Sequence, residues 1–405
     1  MSAAPPAGPR RANLALILGL IVFATGVAFF VGTRFAGGAF TPTPPPPSQV
    51  AAASRTPPPT PEPTPTPEPT PTPTAAPSLE ELIGQKLVVR MAGTAPSKSL
   101  LKRVRRGEIG GVVLFGFNVE DEEQLSRATR KLQEAAAAGG QPPLLIAVDQ
   151  EGGGIRRLPW AQPAASATRM GRMEPDEVRS IGAATGQALA AVGANVNLAP
   201  VADSPDGNQS FMRDARRTFS DDPDVVSRMV TAFSEGLASQ DVLATAKHFP
   251  GIGRVARNTD RFVEAVRESA DELDRDLAPF RASIEAGVPI VMLSNATYPA
   301  LDPDNAAGWS SAISTGLLRD QLGFTGVSIT DSLSGTAASR DVSPKSLAVK
   351  AANAGTDMIM ITGSEASTAA VYEDLVAAAR SGKLDEAALE TSYQRILDLK
   401  ATLGE

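Results

Sequence analysis

The chain contains no cysteine and a single histidine, His248, among its 405 residues. The absence of cysteine excludes disulfides, thiolate metal sites and a cysteine nucleophile. One histidine leaves carboxylates as the main further metal ligands, and no Asp-x-Asp-x-Asp-Gly calcium loop occurs, so we expect neither a metal nor another cofactor. Basic residues are outnumbered by acidic ones, 38 to 45. The resulting net charge of −7 argues against nucleic acid as a partner.

An uncharged apolar run occupies residues 13–33, after a tail (1–12) that contains Arg10 and Arg11. The run is long enough to cross a bilayer as a helix, which takes about 20 residues. Because the positive charge precedes it, we expect the tail in the cytoplasm and the remaining chain outside. A cleaved signal peptide is the alternative, but signal cores span roughly 7–15 residues and no clear small-x-small site follows. We therefore predict an uncleaved single-pass anchor in the cytoplasmic membrane.

Residues 34–77 are rich in proline and threonine, with repeats such as Thr-Pro-Thr-Pro-Glu-Pro. Prolines at this density fix φ and remove backbone donors, so the segment is expected to be disordered or extended as polyproline II. At roughly 3.1 Å per residue it could hold a domain on the order of 100 Å from the membrane. It is followed by Ser78-Leu-Glu-Glu81, whose capping-box spacing predicts the start of a helix.

Eight apolar runs, each suited to a buried strand, follow between residues 78 and 405. They are Leu87–Met91, Gly111–Phe115, Leu144–Asp149, Ala194–Ala199, Leu243–Lys247, Pro289–Leu293, Gly326–Asp331 and Asp357–Thr362. Amphipathic helical stretches lie between most of them, such as 122–138, 224–239 and 271–285. Strand and helix repeated eight times predict an α/β fold, a (β/α)8 TIM barrel over residues 78–405. A doubly wound sheet usually has a Gly-x-Gly-x-x-Gly phosphate loop, and none opens a helix here.

Polar residues stand where these apolar runs end. They are Asp149-Gln-Glu-Gly-Gly153, Asp203, Lys247-His248, Asn295 and Asp331-Ser332. In a (β/α)8 barrel the carboxyl ends of the strands meet at one rim, where function is built. Each residue alone could equally cap a helix or pair with an arginine. Their convergence on one rim predicts a polar binding site.

Several motifs resemble glycoside hydrolase family 3, in its single-barrel β-N-acetylglucosaminidase (β-hexosaminidase) branch. The resemblance runs from Leu79 to the C-terminus and is carried by Asp149-Gln-Glu-Gly-Gly153, Asn197-Leu-Ala-Pro-Val-Ala-Asp203, Arg216-Arg-Thr-Phe-Ser220, Lys247-His-Phe-Pro-Gly251, Tyr298-Pro-Ala-Leu-Asp302 and Gly326-Val-Ser-Ile-Thr-Asp331. It implies that Asp331 is the nucleophile. It also implies a set of sugar-binding residues, namely Asp149, Arg157, Arg217, Lys247 and His248.

These residue types also suit the chemistry by themselves. Pyranose hydroxyls require directional donors and acceptors, which charged side chains and an imidazole supply. Cleavage with retention requires one carboxylate at the anomeric carbon and an acid about 5–5.5 Å from it. Asp331 suits the first of these roles, although at a strand end it could instead cap the next helix.

The stretch after Lys247-His-Phe-Pro-Gly251 differs from the family that the chain resembles. In that family the motif continues with His-Gly and then with an Asp-x-His dyad. In that family the dyad histidine is the acid/base and its Asp the orienting partner. The corresponding positions here are Ile252, Asn258 and Asp260, and a further family histidine appears as Asn295. No second histidine can take over the role, since His248 already belongs to the sugar-binding motif.

Two interpretations follow from the replaced dyad. In the first, Asp260 is the acid/base and Asn258 its orienting residue, provided that burial or the Asp331 charge raises the pKa of Asp260 from about 3.9. In the second, the barrel is a membrane-tethered sugar-binding pseudoenzyme. We expect the first: a monomeric retaining exo-β-N-acetylglucosaminidase that hydrolyses small oligosaccharides or glycans derived from cell wall or related polymers.

Overall fold

Residues 76–404 are described by the structure, a computed structural model. The predicted tail, transmembrane helix and linker, except for residues 76 and 77, lie outside this range. Among the described helices, none is both long enough and apolar enough to span a bilayer. The predicted capping box is present: Ser78 Oγ accepts from the Glu81 N–H at 3.3 Å, and Glu81 Oε2 accepts from the Ser78 N–H at 2.7 Å. This pair begins the first helix, Leu79–Lys86.

Eight parallel strands form the central sheet, and they are β1 (Leu87–Arg90), β2 (Gly111–Leu114), β3 (Leu145–Val148), β4 (Val196–Asn197), β5 (Leu243–Phe249), β6 (Ile290–Leu293), β7 (Val327–Thr330) and β8 (Ile359–Ile361). Strands that are consecutive in the chain are neighbours in the sheet from β1 to β7, and β8 returns to pair with β1. A parallel bridge between Ile329 and Met358 joins β7 to the start of β8 and closes the barrel. The predicted (β/α)8 barrel is therefore confirmed for the described residues.

A helix follows every strand of the barrel. In chain order these helices are Lys98–Arg105, Glu122–Ala138, Pro175–Ala191, Pro223–Ala238, Ala270–Glu285, the π-helix Ala312–Gln321, Pro344–Asn353, Glu365–Arg380 and a final helix Glu386–Ala401. The connecting loops contain three short helices, Ala167–Met170, Phe211–Asp214 and Leu333–Ser339. Short 3-10 turns occur at Gly116–Asn118, Ala307–Trp309 and Thr402–Gly404. Two of the helices predicted from the sequence begin one residue early, because Pro223 fits the first helical turn and Ser269 forms a capping box.

Successive side chains of the strands are buried on opposite faces of the sheet. One set fills the barrel interior and includes Val88, Val113, Ala147, Met292 and Ile329. The alternate set packs against the surrounding helices and includes Val89, Val112, Ile146 and Val291. Burying one such aliphatic side chain contributes about 1.5–3 kcal/mol. Because both faces are buried, each strand reads as a continuous apolar run.

Strand β4 is shorter than its apolar run predicts. The run covers residues 194–199, whereas regular pairing is limited to Val196–Asn197. Side chains replace backbone partners on either side: Asn195 Oδ1 accepts from the Ile146 N–H at 2.7 Å, and Asn197 Oδ1 accepts from the Gln150 N–H at 3.1 Å. These side-chain contacts hold β4 against β3 where the regular ladder ends.

Candidate active site

A cavity of about 420 Å³ lies among the loops that follow the carboxyl ends of the strands. Its lining includes all eight residues selected from the sequence: Asp149, Arg157, Arg217, Lys247, His248, Asn258, Asp260 and Asp331. These residues come from the ends of β3, β5 and β7 and from the loops after β3, β4 and β5. The fold therefore brings together residues that are far apart in the sequence, at the rim where barrel enzymes bind their substrates.

Lys247 is at the centre of a buried ion network. Its Nζ lies 2.7 Å from Asp149 Oδ1 and 2.7 Å from Glu151 Oε1. Arg217 donates from Nε and Nη2 to the two oxygens of Glu151, at 2.8 Å each. Burial opposes ionisation of Glu151, but Arg217 and Lys247 hold its pKa well below the ordinary value. Likewise Lys247 and Arg157 outweigh burial and lower the pKa of Asp149, so both carboxyls are anionic at neutral pH.

A hairpin after β3 presents the carboxyls of this network, and its strands are Gln150–Gly152 and Ile155–Arg156. Gly152 has a φ of +101°, and a Cβ there would lie 2.2 Å from the Ala165 carbonyl oxygen, so the turn requires glycine. The buried Gln150 side chain bonds backbone groups of the same loop. The Gln and the first Gly of the motif thus shape the loop that carries its two acidic residues.

His248 is fixed by Asp203, which is fully buried. The His248 Nδ1 lies 2.8 Å from Asp203 Oδ2, while Asp203 Oδ1 accepts from the Ile252 N–H at 2.8 Å. A carboxylate only accepts, so Nδ1 carries a proton, and in the neutral ring Nε2 is then the acceptor. That Nε2 is 3.5 Å from Arg217 Nη2. The imidazole thus offers the cavity an oriented acceptor.

Asp331 directly follows β7. Its Oδ1 accepts from the N–H of Ser332 at 2.7 Å, and its own N–H donates to the Leu293 carbonyl in the barrel ladder. The helix Leu333–Ser339 has Ser332, and not Asp331, as its N-cap. The structure therefore does not support the helix-cap alternative for Asp331.

Asp260 lies in the loop after β5, at the same cavity. Asn258 Oδ1 accepts from its backbone N–H at 2.8 Å, so Asn258 orients the backbone of Asp260. The carboxyl itself is contacted by Asn295, with Nδ2 3.4 Å from Asp260 Oδ1. The nearby Asp331 charge, together with burial, raises the pKa of Asp260 to about 7.

Three further polar residues matter in this geometry although no individual role was predicted for them from the sequence. Glu151 lies within the quoted motif, two residues after Asp149. In an extended chain this spacing places both side chains on the same face. Asp203 and Asn295 were visible as polar residues after strands. Their partners, His248 and Asp260, are remote in sequence, so the specific contacts had no local signal.

The fold and the site together define a class of protein. One wall offers oriented donors and acceptors for sugar hydroxyls, and the same cavity is lined by two carboxyls, one of which has a pKa raised to about 7 by the charge of the other and by burial. That combination is the equipment of glycoside hydrolysis. Within residues 76–404, no group of three or more His, Asp or Glu side chains is arranged to hold a metal ion. The class is that of the (β/α)8-barrel glycoside hydrolases.

The model of the glycosyl hydrolase family 3 N terminal domain matches residues 78–399, and the chain belongs to this family. A β-hexosaminidase of Nitrosomonas eutropha is 35% identical over 289 residues, which are 68% of this chain and 80% of that protein. The family and the glycosidase class expected from the sequence motifs are thereby confirmed.

Solved structures of the same family share the fold. The family 3 β-N-acetylglucosaminidase of Paenibacillus sp. str. FPU-7 superposes with a TM-score of 0.77 at 31% identity, covering 81% of this chain and 63% of that chain. The chain thus spans less than two thirds of that enzyme. The β-N-acetylhexosaminidase of Beutenbergia cavernae DSM 12333 gives a TM-score of 0.75 at 32% identity and is covered completely, with 81% of this chain.

Proposed function

We propose that this protein is a retaining exo-β-N-acetylglucosaminidase in which Asp331 is the nucleophile and Asp260 the acid/base. The observation that carries the proposal is the meeting of these two carboxyls at one cavity, where the Asp331 charge and burial raise the pKa of Asp260 to about 7. A carboxylic acid that keeps its proton near neutral pH can protonate a leaving group. Membership of a glycosidase family, with β-hexosaminidases among the relatives, supports the choice of amino-sugar substrate.

In the first step the Asp331 carboxylate attacks the anomeric carbon, and Asp260 gives its proton to the glycosidic oxygen. The C–O bond to the leaving group breaks with its electron pair on that oxygen, and a glycosyl ester forms on Asp331. The leaving group departs as a neutral alcohol, and Asp260 becomes a carboxylate.

In the second step the Asp260 carboxylate accepts a proton from water as the water oxygen attacks the anomeric carbon. The ester bond breaks, Asp331 is released as a carboxylate and Asp260 is again protonated. Two inversions at the same carbon give overall retention, so the first sugar product has the β configuration.

The ion network binds the sugar in this scheme. Asp149 and the acceptor Nε2 of His248 take hydrogen bonds from hydroxyls, while Lys247, Arg157 and Arg217 donate to hydroxyl oxygens. Glu151 holds Lys247 and Arg217 in place at 2.7 and 2.8 Å. Because these groups are pinned by one another, little side-chain freedom is lost on binding.

The substrate and location are further parts of the proposal. The expected substrates are β-linked N-acetylglucosamine residues of cell-wall-derived or related glycans, and the working unit is a monomer. The apolar run 13–33 and the Pro/Thr-rich segment 34–77 support a barrel held outside the cytoplasmic membrane. Protease added to intact spheroplasts should then cut within 34–77 and release the barrel. Cutting only after lysis would show that the barrel lies on the cytoplasmic side of the membrane.

The test of function is turnover of an aryl N-acetyl-β-glucosaminide by the full-length protein beside its Asp331→Ala variant. We expect a loss of several orders of magnitude in kcat/KM with the fold intact by circular dichroism. Asp304→Ala, a change at an exposed carboxylate, serves as the matched control and should keep full activity. Proton NMR of the first product should show the β anomer.

The result distinguishes the alternatives. Equal rates for wild type and Asp331→Ala would remove Asp331 from the mechanism, and an α first product would contradict retention. Saturable binding of N-acetylglucosamine without any turnover would instead identify a sugar-binding pseudoenzyme.

A further inference from the structure

Asn295 follows β6 and is buried beside the loop that carries Asp260. Its Nδ2 lies 3.4 Å from Asp260 Oδ1 and 3.2 Å from the carbonyl oxygen of Ser332. Its Oδ1 is buried and has no hydrogen-bond partner within residues 76–404. The amide is thus satisfied at its nitrogen, towards the reacting carboxyl, and left unsatisfied at its oxygen.

Ser332 determines which end of this amide faces Asp260. A backbone carbonyl only accepts hydrogen bonds, so the group facing it is the NH2 and not the amide oxygen. The NH2 carries two hydrogens and can therefore serve both the carbonyl and the carboxyl. Turning the amide over would place Oδ1 against the Ser332 oxygen, with two acceptors in contact. The donor is therefore oriented towards Asp260 before any substrate arrives.

The backbone of Asn295 is held as well. Its carbonyl accepts from Arg340 Nη2 at 3.1 Å, and the same Nη2 lies 3.3 Å from Thr297 Oγ1. Asn295 is only 1% exposed, so water does not compete for the amide. A hydrogen bond to a charged acceptor in such a dry position is stronger than one at the surface.

We propose that Asn295 is a positioning residue for the acid/base: its amide N–H, oriented by the Ser332 carbonyl, holds the Asp260 carboxyl and stabilises its carboxylate form. The inference rests on the proposed function, since it concerns the base half of the Asp260 cycle. A donor favours the ionised form, and it is the ionised form that activates water in the second step.

The charges around Asp260 show why such a donor is useful. Asp331 supplies negative charge from the end of β7, Asp149 adds negative charge from the end of β3, and Arg217 supplies positive charge from the loop after β4. Asp331 and burial raise the pKa of Asp260, Asp149 adds to the rise, and Arg217 and the Asn295 amide oppose it. The amide thus limits the rise in the pKa of Asp260 without adding a further charge to the sugar-binding cavity.

The test compares full-length wild type with Asn295→Leu, which has a similar volume and no donor. Its control is Thr297→Val, which alters the same Arg340 contact and leaves the amide in place. In Asn295→Leu the pKa of Asp260 should rise, so the upper pH limb of kcat/KM should move about one pH unit higher. On an activated aryl substrate, kcat should fall about tenfold, because the Asp260 carboxylate that activates water in the second step loses the amide that positions it. Thr297→Val should leave both quantities unchanged.

A second readout does not depend on turnover. Difference infrared spectroscopy against Asp260→Asn follows the Asp260 carboxyl through its titration, and the same upward shift is expected in Asn295→Leu. If Asn295→Leu does not fold, Asn295→Ala removes the donor with less steric demand.

The outcomes separate this inference from the proposed function. Normal turnover with an unmoved titration and an unmoved limb would overturn the role of Asn295 alone. A shifted titration in a protein without turnover would overturn the proposed enzyme and keep the contact between Asn295 and Asp260.

Discussion

Two regions of the cavity wall handle buried charge in opposite ways. In the paired region, made of Asp149, Glu151, Arg217 and Lys247, every charge lies against one of opposite sign at 2.7–2.8 Å. In the acidic region, two carboxyls, Asp260 and Asp331, interact with like sign. The first arrangement compensates desolvation and fixes geometry, whereas the second keeps a proton on one acid at the expense of stability.

The same difference appears in how tightly each region is held. Glu151 receives two arginine hydrogen bonds and a lysine contact, and its side chain is 3% exposed. Among residues 76–404, the Asp260 carboxyl accepts one hydrogen bond, from Asn295 Nδ2 at 3.4 Å. A rigid binding surface is already arranged for the substrate. A group that donates and accepts a proton, in contrast, must be able to exist in both charge states.

The largest expected effect is in the paired region. Glu151→Gln leaves Lys247 and Arg217 without their shared anion, and breaking a buried pair costs about 3–5 kcal/mol. Glu235, which pairs with Arg179 at the exposed surface, is the matched control, and Glu235→Gln should cost about 0–1 kcal/mol. Guanidinium unfolding of the two variants measures the difference. Equal losses would show that the buried network is no more than a surface ion pair in its energetics.

In the acidic region, removing a charge should stabilise the protein, whereas in the paired region it destabilises the protein. Because the pKa of Asp260 is raised to about 7, the folded protein holds a proton that the unfolded chain releases near pH 4. The stability contributed by Asp260 therefore falls as the pH rises from about 4 to 7. Asp260→Asn should raise the free energy of unfolding at pH 8, on the order of 2–4 kcal/mol, and change it little at pH 4. The exposed Asp304→Asn is the control. A destabilised Asp260→Asn at pH 8 would contradict the like-charge description.

A smaller effect is expected where the Asp260 loop rests on the helix Leu333–Ser339. A Cβ added at Gly335 would lie 2.7 Å from the Asp260 carbonyl oxygen, so Gly335→Ala must displace the loop. We expect kcat/KM to fall by about tenfold, since small misplacements of a catalytic group are costly, while helix stability does not suffer. Gly316→Ala, whose nearest contact would be at 3.9 Å, is the control. Identical activity in both variants would show that the loop tolerates the shift.

Much of the fold could be predicted because barrel strands are buried on both faces. Runs such as Gly111–Phe115 and Pro289–Leu293 have no polar side chain. Because both faces of these strands are buried, the runs can be recognised as strands from the sequence. For β4 the apolar run predicted a strand that is several residues too long. The side chains of Asn195 and Asn197 form hydrogen bonds there that a regular strand would form with its backbone. Local composition does not report such substitutions.

The site was predictable to the extent that strand ends are predictable. Asp149, Lys247 and Asp331 stand at the ends of apolar runs, and the closed barrel brings those ends together. The contact of Asn295 with Asp260 could not be foreseen, because it depends on how a long loop folds back over the rim. The same holds for Asn258, which contacts the backbone of Asp260 and not its carboxyl.

The central claim, that Asp260 is the acid, is tested most directly by the leaving-group dependence of Asp260→Asn. The measurement is kcat/KM relative to wild type for aryl N-acetyl-β-glucosaminides whose phenols span a wide range of acidity. An activated phenol needs little protonation as it leaves, so we predict a loss within about tenfold for it, rising to about 10²–10⁴-fold for the least acidic phenol. The same loss for every phenol, or no loss at all, would contradict the account and place the acid elsewhere.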